Sequence, residues 1–303
     1  MKIGVTYLYT ISKYGYPPKV EDDYKAVAEL AAMGFHYLEM EGLGREHTEQ
    51  VWRHRADFRK CLDDHGVHVH NFCGVDPDLV SLDDARRVAA YERFRRTAEL
   101  GKFLGTETLH LASYAPPVKY IGPAPYQLDE KYSFGDQFRL VLPEGFSWQR
   151  VWDVLVESCR LAADVAAGQG CIVLMEPRVG EVICSADSML RLIGDVQRDN
   201  FRANFDTAHF AAQRENVVLG LAKLEGLYAN VHVADNDPVS TDHLPLGDGK
   251  IDWREFLKTL HAQGYQGHLG LDLGDSPKLA ENLQRSAQYL ETLAAELGIP
   301  MSR

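Results

Sequence analysis

Short apolar runs alternate along this chain with longer stretches whose apolar residues recur every three or four positions. The runs at residues 2–9, 35–40, 67–72, 106–111, 171–176, 201–206, 228–233 and 267–273 have the length and composition of strands. Helical spacing occupies 21–33, 46–65, 83–104, 148–167, 185–196, 210–224, 253–263 and 278–297. Gly34, Gly66 and Gly105 stand where helix C-caps belong, and Ser185 where an N-cap belongs. Eight strand–helix pairs follow one another with no flexible linker between them. Residues 113–147 break the rhythm. There Pro116, Pro117, Pro123, Pro125 and Pro143 are interleaved with Tyr114, Tyr120, Tyr126, Tyr132, Phe134, Phe138 and Phe146. A long irregular segment inside a domain is functional or disordered, and this aromatic content argues against disorder. Because it follows a strand, it is expected over the active face as a lid or subunit contact, with packing on the outside as the alternative.

Four of the predicted strands share a design. Glu176, Asp206, His232 and Asp272 each stand at or near the C-terminal end of a mostly apolar run. The gaps of 30, 26 and 40 residues between them suit a strand, a loop and a helix each. Four such residues at the ends of consecutive parallel strands converge only if the sheet closes. The expected fold is therefore α/β, a (β/α)8 barrel over residues 1–303 with an extended loop after strand four and its chemistry at the C-terminal mouth.

Bulk properties narrow the function. A net charge of −12 argues against a nucleic-acid partner. The chain enters a strand at once and holds no long apolar stretch, so neither a signal peptide nor a membrane span is expected. Cys61, Cys73, Cys159, Cys171 and Cys184 are scattered and odd in number, which suits a reducing cytoplasm and gives no thiolate zinc site.

Three carboxylates and one imidazole make an oxygen-rich set that suits a divalent cation. Mn²⁺ ranks first, with Mg²⁺, Co²⁺ and Zn²⁺ as alternatives. The carboxylates would otherwise raise one another's pKa. For any one of them, a helix cap or salt bridge is the plainer explanation; four at matching strand ends are harder to assign that way. A cation chelated by a carbonyl and a neighbouring hydroxyl acidifies the C–H between them and stabilises the resulting enediolate. Glu176 is the first candidate base. His70 and His110, on strands three and four, are candidates for holding substrate, although a lone strand histidine is often simply packed and hydrogen-bonded. Glu39, Glu41 and Glu181 are weaker candidates.

The pattern resembles the xylose isomerase-like sugar isomerases and epimerases, including the tagatose and psicose 3-epimerases. The resemblance lies in Met175-Glu176-Pro177, Asp206-Thr207-Ala208-His209, Val231-His232-Val233-Ala234-Asp235, the loop from His243 to Trp253, and Gly264-Tyr265-Gln266-Gly267. It implies a (β/α)8 barrel, one divalent ion held by Glu176, Asp206, His232 and Asp272, and acid–base roles for Glu176 and Asp272. It also implies a substrate contact at His209, which makes that residue a candidate catalytic acid–base or hydroxyl-orienting group, with an ordinary helix-start histidine as the plainer explanation; His243 in the matching loop is expected to face the site. Two departures stand out. Asp272 replaces the usual Glu and reaches one methylene less far. Pro238 stands where those epimerases carry a substrate-binding arginine, a role Arg178 is placed to take, unless it serves a structural salt bridge to Glu176.

The expected activity is isomerisation or epimerisation of a sugar or keto-sugar by proton abstraction beside a carbonyl. A lyase or dehydratase is the alternative, because an enediolate can expel a group at the next carbon. The inosose dehydratases and the α subunits of C-glycoside deglycosidases, which act on 3-keto-glycosides, resemble the chain in this respect. Endonuclease IV shares the barrel and a comparable ligand set, but its Asp-x-His is missing, with Asp242 and His243 adjacent, and the acidic charge opposes DNA binding. A non-catalytic sugar-binding protein is opposed by the intact ligand positions. The aromatic insertion offers a surface for a homo-oligomer or a small partner subunit.

Overall fold

The computed structural model describes residues 1–122, 139–237, 241–274 and 276–303. In chain order the strands are β1 (Lys2–Val5), β2 (Tyr37–Leu43), β3 (His68–Val75), β4 (Thr108–Ala112), β5 (Lys119–Tyr120), β6 (Leu140–Val141), β7 (Ile172–Glu176), β8 (Phe201–Asp206), β9 (Tyr228–Val233) and β10 (His268–Leu271). All but β5 and β6 are parallel and close into one barrel, in the order β1-β10-β9-β8-β7-β4-β3-β2. The expected (β/α)8 architecture is therefore the observed one. The helices are α1 (Leu8–Tyr14), α2 (Val20–Ala32), α3 (Gly44–His65), α4 (Asp84–Leu104), α5 (Trp148–Gly168), α6 (Ala186–Val196), α7 (Thr207–Ala212), α8 (Val217–Lys223), α9 (Trp253–Ala262) and α10 (Leu279–Leu297). No helix among the described residues is long and apolar enough to cross a membrane.

Two elements differ from the periodicity. The first strand stops at Val5, and residues 8–14 turn into α1. Tyr7 and Tyr9 are pulled back against α2, where the Tyr7 hydroxyl donates to Asp23 at 2.6 Å and the Tyr9 hydroxyl to Glu29 at 2.8 Å. The helix expected over 210–224 is two helices, each with its own cap. Asp206 accepts from the His209 N–H at the start of α7, and Asn216 from the Leu219 N–H at the start of α8. Arg214, at φ +59°, turns the chain between them.

Residues 113–147 leave the barrel after β4. Their described part includes the antiparallel pair β5–β6, with Lys119 opposite Val141. Pro123, Pro125, Tyr126, Tyr132, Phe134 and Phe138 lie outside the described residues.

Strand alternation sorts side chains between the helices and the barrel interior. Phe205 points outward, stacked on Phe210 at 4.2 Å, while its neighbours Asn204 and Asp206 are buried inside. Two register shifts modify this rule. Between β2 and β3, Leu38 pairs with Val69 but Glu39 with Asn71, so His70 is an extra residue on β3. Between β8 and β9, Ala203 pairs with Tyr228 but Asn204 with Asn230, so Ala229 is an extra residue on β9. Such bulges change which face the following residues occupy. Tyr228 can thus pack outward, its hydroxyl donating to Gln263 of the α9 C-cap, while Asn230 and His232 turn into the barrel.

Candidate active site at the barrel mouth

Inside the barrel lies a layer of polar side chains. Its centre is Glu39, a buried carboxylate with four donors. Oε2 accepts from His232 Nε2 at 2.8 Å and Asn71 Nδ2 at 3.1 Å; Oε1 accepts from Asn230 Nδ2 at 2.7 Å and His70 Nε2 at 3.2 Å. Asn230 also donates to Asn204 Oδ1 at 3.0 Å, and Asn204 donates to Glu176 Oε1 at 2.8 Å. On the other side, the Thr108 hydroxyl donates to Asn71 Oδ1 at 2.8 Å. A continuous hydrogen-bonded belt therefore runs from β4 through β3, β2, β9 and β8 to β7. Burial would push the Glu39 carboxyl up, but His232 and His70 outweigh it and hold it well below the usual range.

Above this belt are the strand-end residues. His232, its Nε2 committed to Glu39, places Nδ1 3.0 Å from Glu176 Oε1 and 3.6 Å from Asp206 Oδ2. Donor atoms of Glu176, Asp206 and His232 all lie within 4.8 Å of one another. Asp206 Oδ1 accepts the His209 N–H at 2.9 Å, while its buried Oδ2 has no hydrogen-bond partner. Burial raises the Glu176 carboxyl, yet His110, His232 and Arg178 bring it far below normal. For Asp206, burial is outweighed chiefly by His209 and His232, and the carboxyl falls to about 2. An anionic pair, a histidine oriented from behind by a carboxylate, and one unsatisfied carboxylate oxygen form a donor set that fits a divalent cation.

Asp272 adjoins this triplet through Asp206, which the two groups share. Its donor atoms group with those of Asp206 and His243, again within 4.8 Å. One of its carboxylate oxygens accepts the Thr6 hydroxyl, and the other lies 2.9 Å from His243 Nδ1, which also donates to the Asp272 carbonyl at 2.8 Å. Burial opposes a charge on His243, but Asp272 wins and raises the imidazole to about 9. Beside it, edge to face at 5.2 Å, is the ring of His209. Burial lowers that imidazole to about 4 despite Asp206.

The remaining expected residues divide by height. His110 reaches the site, its Nε2 3.7 Å from Glu176 Oε2 and its ring against His232. Arg178 sits at the rim, its Nε 3.3 Å from Glu176 Oε2 and its Nη1 3.6 Å from Glu181 Oε1. Glu181 itself is structural: it accepts from the Ser113 and Tyr114 N–H groups and the Ser113 hydroxyl, pinning the exit of β4. His70 lies lower, bonded to Glu39 and stacked at 4.0 Å on His268 from the first residue of β10. It belongs to the belt beneath the triplet. Pro238 lies outside the described residues.

The family model described as xylose isomerase-like TIM barrel matches residues 27–293. The chain belongs to that family. Among curated relatives it is similar to a fructoselysine 3-epimerase of Escherichia coli O157:H7, 26% identical over 134 residues that cover 43% of this chain and 47% of that one. It is similar also to an inosose dehydratase of Clostridium botulinum, 23% identical over 164 residues, 48% of this chain and 55% of the relative. The chain thus spans about half the length of the curated relatives it matches. Among solved structures, a D-tagatose 3-epimerase-like protein superposes with a TM-score of 0.76 at 18% identity, covering 98% of both chains. For this member of the xylose isomerase-like barrels, that likeness establishes the fold.

Sequence reading singled out the rim residues but missed Thr6, Asn71, Thr108, Asn204 and Asn230, and left Glu39 among the weaker candidates. A signal was present. Asn204 and Asn230 stand two residues before Asp206 and His232 in otherwise apolar strands, hence on the same face.

Proposed function

We propose that this protein is a divalent-metal-dependent sugar isomerase or epimerase that removes a proton beside the carbonyl of a sugar or keto-sugar. The observation that carries the reading is the Glu176–Asp206–His232 triplet, in which Asp206 Oδ2 is buried without a partner and His232 is locked from behind by Glu39. Those three residues would hold the ion, Mn²⁺ before Mg²⁺, Co²⁺ or Zn²⁺. When bound, it would polarise the substrate carbonyl and make the adjacent C–H acidic.

The chain's own groups supply the rest. Glu176, ionised at neutral pH, takes the proton. Asn204 bonds one of its oxygens, and Arg178 and His110 face the other, which fixes the carboxylate's direction. Arg178 lies at the rim, where its guanidinium can bind substrate oxygens. His209 and His243, paired edge to face, orient substrate hydroxyls. Likeness to a fructoselysine 3-epimerase and to a tagatose epimerase-like fold supports this reading.

Elimination is the second reading. The Asp272–His243 pair is a protonated imidazole held by a carboxylate, suited to protonating a departing hydroxyl or glycosidic oxygen. Likeness to an inosose dehydratase supports it.

The test is to strip metal with EDTA, restore Mn²⁺, and assay D-psicose, D-tagatose, fructoselysine and 3-keto-D-glucosides with mass analysis of products. Isomerisation returns the substrate mass; elimination lowers it. Turnover indifferent to metal removal would overturn the proposal.

A further inference from the structure

We propose that Glu41, on β2, is the second proton-handling group of this site, working from the side of the mouth opposite Glu176. The assignment rests on the function proposed above and names a residue for its return step. Barrel order supplies the geometry. β7, which ends in Glu176, lies four strands from β1 in either direction round the ring. The two strands flanking β1 are β10 and β2, so residues at their C-terminal ends face Glu176 from across the mouth.

Asp272, after β10, is the obvious opposing carboxylate, but both its oxygens are engaged, one by the Thr6 hydroxyl and the other by His243. Glu41 occupies the mirror position. Residues 39–43 of β2 pair with 71–75 of β3 in unbroken register, so Glu41 shares the inner face with Glu39 one step nearer the mouth, opposite Cys73. The Glu39 carboxylate is consumed by its four donors. Glu41 is half-buried, and among the described residues no hydrogen bond or ion pair ends on its carboxyl group.

The groups that face it are Arg178 and Glu176 from β7 and its exit, Asp272 from β10, Glu39 on its own strand, Cys73 on β3, Tyr7 between β1 and α1, and Tyr16 from the loop after α1. Burial pushes the Glu41 carboxyl up to about 8, with Arg178 pulling against it and Asp272, Glu39 and Glu176 adding to the rise.

The step is redox-neutral. The carboxylate of Glu176 takes the proton on one face as the C–H electron pair moves into the carbonyl. The O–H of Glu41 then breaks and a new C–H bond forms on the other face. Solvent returns the proton from Glu176 to Glu41 before the next turnover.

The experiment uses the full chain loaded with Mn²⁺ in D₂O, with D-psicose and fructoselysine as probes, and reads hydrogen exchange and product formation separately. Glu41→Gln is expected to lose product formation by at least ~100-fold while still exchanging the substrate hydrogen, with metal content and melting temperature as in wild type. Product at the wild-type rate overturns the assignment, as does loss of exchange together with metal. So does the appearance of exchange without product in His243→Asn rather than Glu41→Gln. If wild-type enzyme exchanges hydrogen with neither probe, the underlying isomerase reading falls instead, a result distinct from a wild-type enzyme that exchanges and an unimpaired Glu41→Gln.

Discussion

His232 Nε2 donates to Glu39 Oε2 at 2.8 Å across 193 residues of sequence, joining β9 to β2 through the middle of the barrel. This contact decides which imidazole nitrogen faces the strand-end carboxylates. With Nε2–H held from behind, Nδ1 is left toward Glu176 and Asp206.

Removing the charge of Glu39 should therefore weaken metal binding without touching a ligand. Glu39→Gln keeps the shape but cannot accept from all four donors. Mn²⁺ affinity by calorimetry is expected to fall by roughly 10–100-fold, the range found for partners that orient a metal-binding histidine. Unchanged affinity would show that the belt is scaffolding only.

Asp206→Asn separates capping from ligation. Asparagine caps α7 nearly as well as aspartate, so the fold should persist. Metal bound per chain should drop, because the buried Oδ2 of Asp206 is replaced by an amide nitrogen that cannot ligate. Circular dichroism and metal analysis on one sample check both halves; full metal content refutes the ligand role.

Glu176→Gln should abolish turnover while the protein stays folded, since the Asn204 amide can still donate to the remaining carbonyl oxygen. A rate near wild type on any accepted substrate would remove Glu176 as base.

Gly270 marks how tightly the belt is packed. A Cβ there would lie 3.0 Å from Thr6 Cγ2, 3.3 Å from Glu39 Oε1 and 3.4 Å from His232 Cδ2. Gly270→Ala is expected to cost about 1–3 kcal/mol in denaturant unfolding, typical of overpacking. It should also lower metal affinity, because Glu39 and His232 are the groups that must yield. A neutral effect on both would mean the barrel can expand at this level.

At the barrel's other end, burial and the neighbouring His70 lower His268 to about 3, so the folded chain keeps it neutral. Its unfolded form titrates near 6.5. Below that pH the unfolded state binds the extra proton, so this contribution to stability is whole above about 6.5 and is lost as pH falls toward the folded value. The wild-type melting temperature should drop over that window, and His268→Gln should drop less steeply. Parallel slopes would place the acid sensitivity elsewhere.

The sequence by itself determined the barrel. Strand-length apolar runs, helical spacing between them and Gly66 and Gly105 at helix ends are local signals, and each is settled within a few residues of chain. It also placed Glu176, Asp206, His232 and Asp272 at or near the ends of their runs. Tertiary structure decided how those residues divide. The extra residues His70 and Ala229 shift register between neighbouring strands, and only pairing across strands reveals which face the following side chains take. The same pairing brings Glu39 under His232 and leaves Asp272 with Thr6 and His243. Buried hydrogen bonds are made between strands far apart in the chain, so a strand's own pattern can announce a polar residue inside the barrel but cannot name its partner.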